Sequence, residues 1–364
     1  MLSHTDKTFI KLSIFTMILL LFSPLSFSYM LDDKKELEKL SLFQDTVSSS
    51  PVPTKVGLEK PIKIAIIYPS ADISDFWVRN FVALTKRLTD LKIPFEVDQF
   101  TSRQIEHSLQ THYTEEVLKN ANSYDFVIFG PSELSIQANN IQSLSKSELF
   151  KTFIWAFHTP DPEWSYQPDG WFDFSSAMGA RVLCQHVINH LGTEVNFAAN
   201  RGIPGITDTL RSQGFIDCVE ENGNWSNMYE HFVQYQKLGG ADGAKLVLQN
   251  FPEVKMLHNA NTAMTMGALD TLTNAGKHSD IYLTGWGGTA KEIDKIRTQE
   301  LDATPMRMSD DLGVATAEAM KYFVEKREKA VPLVYLGRIS VVHSGMSEEE
   351  LAKLTQEAFR YSGL

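Results

Sequence analysis

The sequence predicts an α/β protein built as two doubly wound αβα lobes with a ligand cleft between them. Three observations carry that expectation. From Ile62 onward, short apolar runs alternate with stretches of helical period, the pattern of parallel sheets covered on both faces. The alternation breaks at Thr159-Pro-Asp-Pro162, whose prolines cannot continue a helix or a central strand, and then restarts. Late strand-like pieces, Ala303–Met308, Val334–Leu336 and Ile339–Val342, suit a chain that crosses between the lobes three times. A length of 364 residues leaves room for two domains, each with its own core.

Taken in order, residues 1–28 read as a secretory signal peptide. Lys7 and Lys11 precede the apolar run Leu12 to Phe22, and Ser26-Phe27-Ser28 supplies small residues for cleavage. Residues 29–61 follow as an amphipathic helix, apolar at positions 37, 40 and 43, and a linker at Ser48-Ser-Ser-Pro-Val-Pro53. This piece is expected to pack outside the first lobe.

Lobe 1 is expected over residues 62–158 plus 307–332. Its strands are Ile62–Tyr68, Phe95–Gln99, Phe126–Phe129 and Thr152–Phe157, with helices at Asp75–Leu91, Glu106–Asn120 and Leu134–Leu144. Lobe 2 is expected over residues 159–306 plus 333–364, with strands Trp171–Asp173, Val195–Ala199, His231–Tyr235, Met256–Asn259 and Ile281–Gly285. Its helices are Ser175–Leu191, Asp208–Glu221, Ala241–Asn250 and Met264–Ala275, while Leu312–Lys326 returns to lobe 1.

The formal net charge is −11, and loss of Asp6, Lys7 and Lys11 with the signal peptide takes it to −12. That balance excludes nucleic-acid partners, which need a basic face. Cys184 and Cys218 are the only cysteines; export permits a bridge between them, but two cysteines do not dictate one.

Two stretches read as matching lips of the cleft, Ile64 to Trp77 and Ile281 to Thr289. Each is a short apolar run that breaks into a loop with polar groups and one large aromatic. In open α/β sheets ligands bind beyond the carboxyl ends of strands, which singles out Ser74, Trp77 and Trp286. Arg211 and Arg307 add two planar forks of donors, suited to paired oxygens of a diol, carboxylate or borate. Salt bridges, such as Arg307 with Asp310 or Asp311, are the structural alternative. Core packing is likewise the commoner fate of a tryptophan.

No catalytic constellation emerges. There is no Gly-x-Ser-x-Gly elbow, and Gly285-Trp-Gly-Gly288 lacks the lysine and spacing of a phosphate cradle. His186 and His190, four apart on a helix, have zinc spacing but lack the glutamate of a metalloprotease motif. No metal is expected.

The architecture resembles type I periplasmic binding proteins for ribose and related sugars. Several stretches are similar to the autoinducer-2-binding periplasmic receptor family (LuxP type). They are Ser74-Asp-Phe-Trp-Val-Arg-Asn80, Gly285-Trp-Gly-Gly288, Met306-Arg-Met-Ser-Asp-Asp-Leu-Gly313, Ala317-Glu-Ala-Met-Lys321 and Ala358-Phe-Arg-Tyr-Ser362. The similarity runs from about Ile62 to the end. It implies a periplasmic, non-enzymatic receptor that binds autoinducer-2 as a furanosyl borate diester. Borate then belongs to the ligand, no other cofactor is implied, and the partner is an inner-membrane sensor kinase in quorum sensing. The alternative is a ribose-like sugar-binding protein serving a transporter permease or another two-component sensor.

Carried over by position, the family's contacts match Ser74, Trp77, Arg211, Thr262, Trp286 and Arg307. Asp72 stands where the family has glutamine, Ala156 where it has asparagine, and Ala263 where it has aspartate. A carboxylate at 72 would repel a borate anion. Loss of the amide at 156 removes a hydrogen bond of about 1 kcal/mol. With a neutral sugar, Asp72 would instead accept hydroxyl hydrogens.

Overall fold

The computed structural model describes residues 34–70, 75–103, 105–156 and 164–363. The expected signal peptide, Asp72, Ser74 and the Thr159–Pro162 break lie outside the described residues. Among the described residues, twelve strands form two six-stranded sheets.

The first sheet contains β1 (Ile62–Pro69), β2 (Phe95–Ser102), β3 (Phe126–Phe129), β4 (Lys151–Ala156), β5 (Gly170–Asp173) and β11 (Val334–Leu336). Their order is β11-β5-β4-β3-β1-β2, with every pair parallel. The second contains β6 (Asn196–Arg201), β7 (Ser226–Phe232), β8 (Met256–Asn259), β9 (Tyr282–Thr284), β10 (Ala303–Arg307) and β12 (Ile339–His343). Their order is β12-β10-β9-β8-β6-β7, and only β12 runs antiparallel.

The lobe boundaries depart from the sequence expectation. Trp171–Asp173 and Val334–Leu336 pair in the first sheet, Trp155 opposite Phe172 and Phe172 opposite Tyr335. They therefore belong to lobe 1 rather than lobe 2. The first and last crossings lie near Phe174 and Gly337, not at the Thr159–Pro162 and Val331-Pro332 breaks. The physical reason is non-local: a short apolar strand suits either sheet, and these complete a core in which Trp155, Trp171 and Phe172 are fully buried.

The crossings are tied to one another. Gly337 N–H donates to the Asp173 carbonyl at 2.8 Å, and Met308 N–H donates to the Arg338 carbonyl at 3.0 Å.

A second correction concerns His231–Tyr235. The strand runs Ser226–Phe232, and Gln234 and Tyr235 turn away with φ of 54° and 59°. Val233 and Tyr235 are buried with Ala260 and Met264, so their apolar character reflects this packing and not a strand.

In lobe 1 the helix Phe76–Asp90 buries Phe76, Trp77, Asn80, Ala83, Leu84, Arg87 and Leu88, one face at helical spacing. It packs on Asp311–Val324. A Cβ at Gly313 would lie 2.1 Å from the Asn80 carbonyl oxygen, so glycine is what admits this approach. The N-terminal helix Lys34–Ser48 buries Leu40, Phe43 and Val47, and Phe43 meets Tyr322 and Tyr335 edge-on. In lobe 2, a Cys184–Cys218 disulfide joins Ser176–Leu191 to Gly214–Asn222, with Cα atoms 6.2 Å apart. That pairing suits an oxidising compartment. No helix of the described residues is long and apolar enough to cross a membrane.

Candidate functional site

In each sheet the strand order reverses once near the centre, between β1 and β3 and between β6 and β8. Loops leaving these strands diverge at the carboxyl edge and open a crevice, the usual ligand position in such sheets. The two crevices face each other. Together they line a partly open cavity of about 60 Å³. That is room for a handful of waters at roughly 10–15 Å³ each, or part of a small ring.

Lobe 1 contributes Phe76 and Trp77, and the Pro131 to Leu134 loop after β3. Lobe 2 contributes Thr207 and Arg211 after β6, Asn261 and Thr262 after β8, Tyr235 and Trp286, while Arg307 enters from a crossing. Thus Trp77, Arg211, Thr262, Trp286 and Arg307, all expected from sequence, converge on one cavity. The described residues do not reach Asp72 or Ser74, nor the side chain of Ala156.

Several cavity residues were not anticipated. Phe76 had a signal in its place beside Trp77 at the helix start. Glu133 and Asn261 also follow strand ends. Tyr235 was hidden by the wrong strand register. Thr207 had no signal beyond its loop.

Glycines shape the aromatic walls. A Cβ at Gly130 would lie 2.5 Å from the Trp77 ring, and one at Gly179 would lie 2.9 Å from the Trp286 ring. The loop carrying Trp286 is held by Glu292, whose carboxylate accepts from the Trp286 N–H at 3.1 Å, the Gly288 N–H at 2.8 Å and the Thr304 hydroxyl at 3.0 Å. Gly287 and Gly288 have φ of 115° and 60°, and a Cβ at Gly287 would meet Arg307 Nη2 at 2.5 Å. The Gly-Trp-Gly-Gly run therefore presents an aromatic and makes space for a guanidinium.

The two arginines are braced against rings. Arg307 lies 4.1 Å over Phe76, and Arg211 lies 4.9 Å from Trp286 and 5.9 Å from Tyr235. Arg211 Nη1 also donates to the Ala260 carbonyl at 2.8 Å. Burial, and secondarily the Arg211 charge, pushes Arg307 down to about 9, so it is still cationic at neutral pH. Burial lowers Arg211 too.

Carboxylates oppose them. Asp173 at the end of β5 is fully buried, raised well above the usual range by that burial, and stabilised as an anion by both arginines. Glu133 is raised by burial and faces Arg211. The Tyr235 hydroxyl, on the cavity wall, has no hydrogen-bond partner among the described residues of the protein. Buried polar atoms of that kind call for an explanation, and in a cleft a ligand oxygen supplies one. The proposed Arg307 pairing with Asp310 or Asp311 does not form. Asp311 pairs with Arg360 at 2.8 Å, and Asp310 accepts from the Tyr361 and Ser362 N–H groups.

His186 and His190 lie away from the cavity. Their rings stack at 6.0 Å, His343 lies 4.6 Å from His186, and His186 Nε2 meets the Tyr282 hydroxyl at 3.0 Å. No group able to hold a metal occurs among the described residues. Burial, then the charges of His343 and His190, pushes His186 down to about 4. The folded state thus disfavours its protonation relative to an unfolded histidine near 6.5. The associated stability is present above about pH 6.5 and is lost as pH falls through about 4. After allowance for a half-exposed site, the loss is on the order of 1 kcal/mol. His186→Gln should flatten the fall in stability between about pH 7 and about pH 4.5 by that amount. Parallel unfolding curves for the two proteins across this range would refute it.

Two αβα lobes joined by crossings around a cleft define the fold of type I periplasmic binding proteins. Residues 158–328 match the family described as periplasmic binding protein domain. The chain is 29% identical over 159 residues to the D-allose-binding periplasmic protein of Escherichia coli K12, covering 43% of this chain and 50% of that protein. It is 25% identical over 144 residues to a D-apiose import binding protein of Paraburkholderia graminis, covering 39% and 45%. These matches span about half the length of the curated relatives. In structure it is similar to an ABC transporter periplasmic solute binding protein from Actinobacillus succinogenes with bound D-allose. There the TM-score is 0.69 at 16% identity, covering 81% of this chain and all of that one.

Proposed function

We propose that this is a periplasmic binding protein that captures a neutral sugar between its lobes and delivers it to an inner-membrane transporter. The observation that carries this reading is the cavity wall, in which Phe76, Trp77, Tyr235 and Trp286 surround Arg211 and Arg307. Aromatic faces suit the C–H face of a sugar ring, and guanidinium forks suit its paired hydroxyls. Two carboxylates, Glu133 and Asp173, lie in the electrostatic reach of these two cations. A site that already carries its own counter-charges favours a neutral polyol over an anion.

The relatives support the same choice. They are described as a D-allose-binding protein, a D-apiose import binding protein and a solute binding protein with bound D-allose. Sugar transport is therefore preferred to autoinducer-2 reception and a sensor kinase. Autoinducer-2 is kept as a second reading on one observation: every carried-over contact whose side chain is described lines the cavity.

Titration calorimetry with D-allose, D-ribose, and autoinducer-2 with and without borate separates the two. The expected result is binding of a neutral sugar with no borate dependence. Binding confined to autoinducer-2 in borate would overturn the proposal.

A further inference from the structure

We propose that the Tyr235 hydroxyl sets the selectivity of the cleft: it pairs with one hydroxyl of the bound ligand and excludes analogues that lack it. This rests on the sugar-binding reading above and adds a residue outside the contacts carried over from the family resemblance. Tyr235 lies on the cavity wall and is 5% exposed. Its hydroxyl has no hydrogen-bond partner among the described residues. A buried hydroxyl left unpaired is costly, so the ligand that fits this wall brings an oxygen to it.

The fold holds this phenol in place. Val233 N–H donates to the Arg201 carbonyl at 2.9 Å, and the next two residues, Gln234 and Tyr235, both take positive φ. Two successive non-glycine residues in that region store strain of the kind found at ligand clamps. The bend is fixed by Asn261, whose side-chain N–H donates to the Tyr235 carbonyl at 3.1 Å. The Asn261 side-chain oxygen caps the following helix by accepting from the Met264 N–H at 2.9 Å. The ring fills space that a side chain at residue 202 would take, because a Cβ at Gly202 would lie 2.1 Å from Tyr235 Cζ. Guanidinium groups only donate, whereas a phenol hydroxyl donates and accepts. Tyr235 can therefore take a ligand hydrogen that Arg211 and Arg307 cannot. Burial raises its pKa, which keeps it a neutral hydroxyl.

The test is a double cycle in calorimetry, Tyr235→Phe against monodeoxy analogues of D-allose, or of D-ribose should only that sugar bind. Phenylalanine keeps the ring and its seat on Gly202 and removes only the oxygen. Tyr235→Phe should weaken binding of the parent sugar about 5- to 100-fold, the cost of one buried group left unpaired. The analogue deoxygenated at the matching position should lose a similar factor on the unsubstituted protein. Combined, the two changes should go no further than either alone, whereas analogues at other positions should add to the substitution. Affinities unchanged by Tyr235→Phe, or effects that add at every position, would overturn the proposal. In protein stripped of ligand by unfolding and refolding, Tyr235→Phe should unfold at the same or a higher temperature, since no protein partner is lost. A lower midpoint would show that the hydroxyl bonds a protein group, and the proposal would fall. If neither D-allose nor D-ribose binds, the proposed function fails by itself. The ligand-free midpoint and the effect of Tyr235→Phe on autoinducer-2 binding then still decide the role of the hydroxyl.

Discussion

Arg307→Ala and Arg211→Ala should each weaken ligand binding by roughly 2–5 kcal/mol, a factor of about 30 to several thousand. Both guanidinium groups are more than nine-tenths buried in the cavity wall. A ligand oxygen paired with either is thus shielded from water, where a charged hydrogen bond is at its strongest. The ligand-free protein should respond quite differently. Burial depresses both arginines, and the Arg211 charge depresses Arg307 further, so the fold holds these charges at a cost. Removing one relieves that cost, offset by weaker stabilisation of the Asp173 anion. Thermal unfolding without ligand should therefore change little, while calorimetry shows the loss of affinity. A comparable drop in ligand-free stability, with affinity retained, would make the arginines structural.

Arg87→Ala should have the opposite profile, with a loss of about 3–5 kcal/mol in stability. Arg87 pairs with Glu318 at 2.6 Å, and the two side chains are 2% and 1% exposed. It also donates to the carbonyls of Thr46 and Ser49 at 3.3 and 3.1 Å and to the Tyr361 hydroxyl at 3.1 Å. One guanidinium thus joins the N-terminal helix, the lobe 1 core and the C-terminal segment. Truncation leaves the Glu318 carboxylate with Lys321 at 3.7 Å as its remaining ion-pair partner. Replacing both members by apolar residues, Arg87→Met with Glu318→Leu, should cost far less, because no charge is then left buried. Urea unfolding of the single and double variants tests this. A single-variant loss below about 1 kcal/mol would contradict it.

The alternation of strands and helices was legible because each period is a local property. Branched apolar runs such as Ile62 to Tyr68 and helices such as Phe76–Asp90 carry their pattern within a few turns. The same locality exposed Trp77 and Trp286, since each sits where an apolar run ends or a helix begins, while Thr262 came only from the family resemblance. Arg211 and Arg307 were visible by residue type and position, though a salt bridge explained each equally well in isolation.

Which sheet receives a strand is not a local property. Trp171–Asp173 and Val334–Leu336 are apolar enough for either lobe, and their place was settled by pairing of the first with β4 and of the second with the first, and by filling a core that needed Trp171 and Phe172. Tyr235 reads as strand until the positive φ at Gln234 and Tyr235 turns it into the cleft. Glu133 and Asp173 belong to the site only because crossings and loops distant in sequence bring them to Arg211 and Arg307. The sequence alone therefore determined the class of fold and most of the cavity's rings and cations. Its counter-charges and its lobe boundaries depended on long-range packing, because burial and electrostatics act between residues that no local pattern connects.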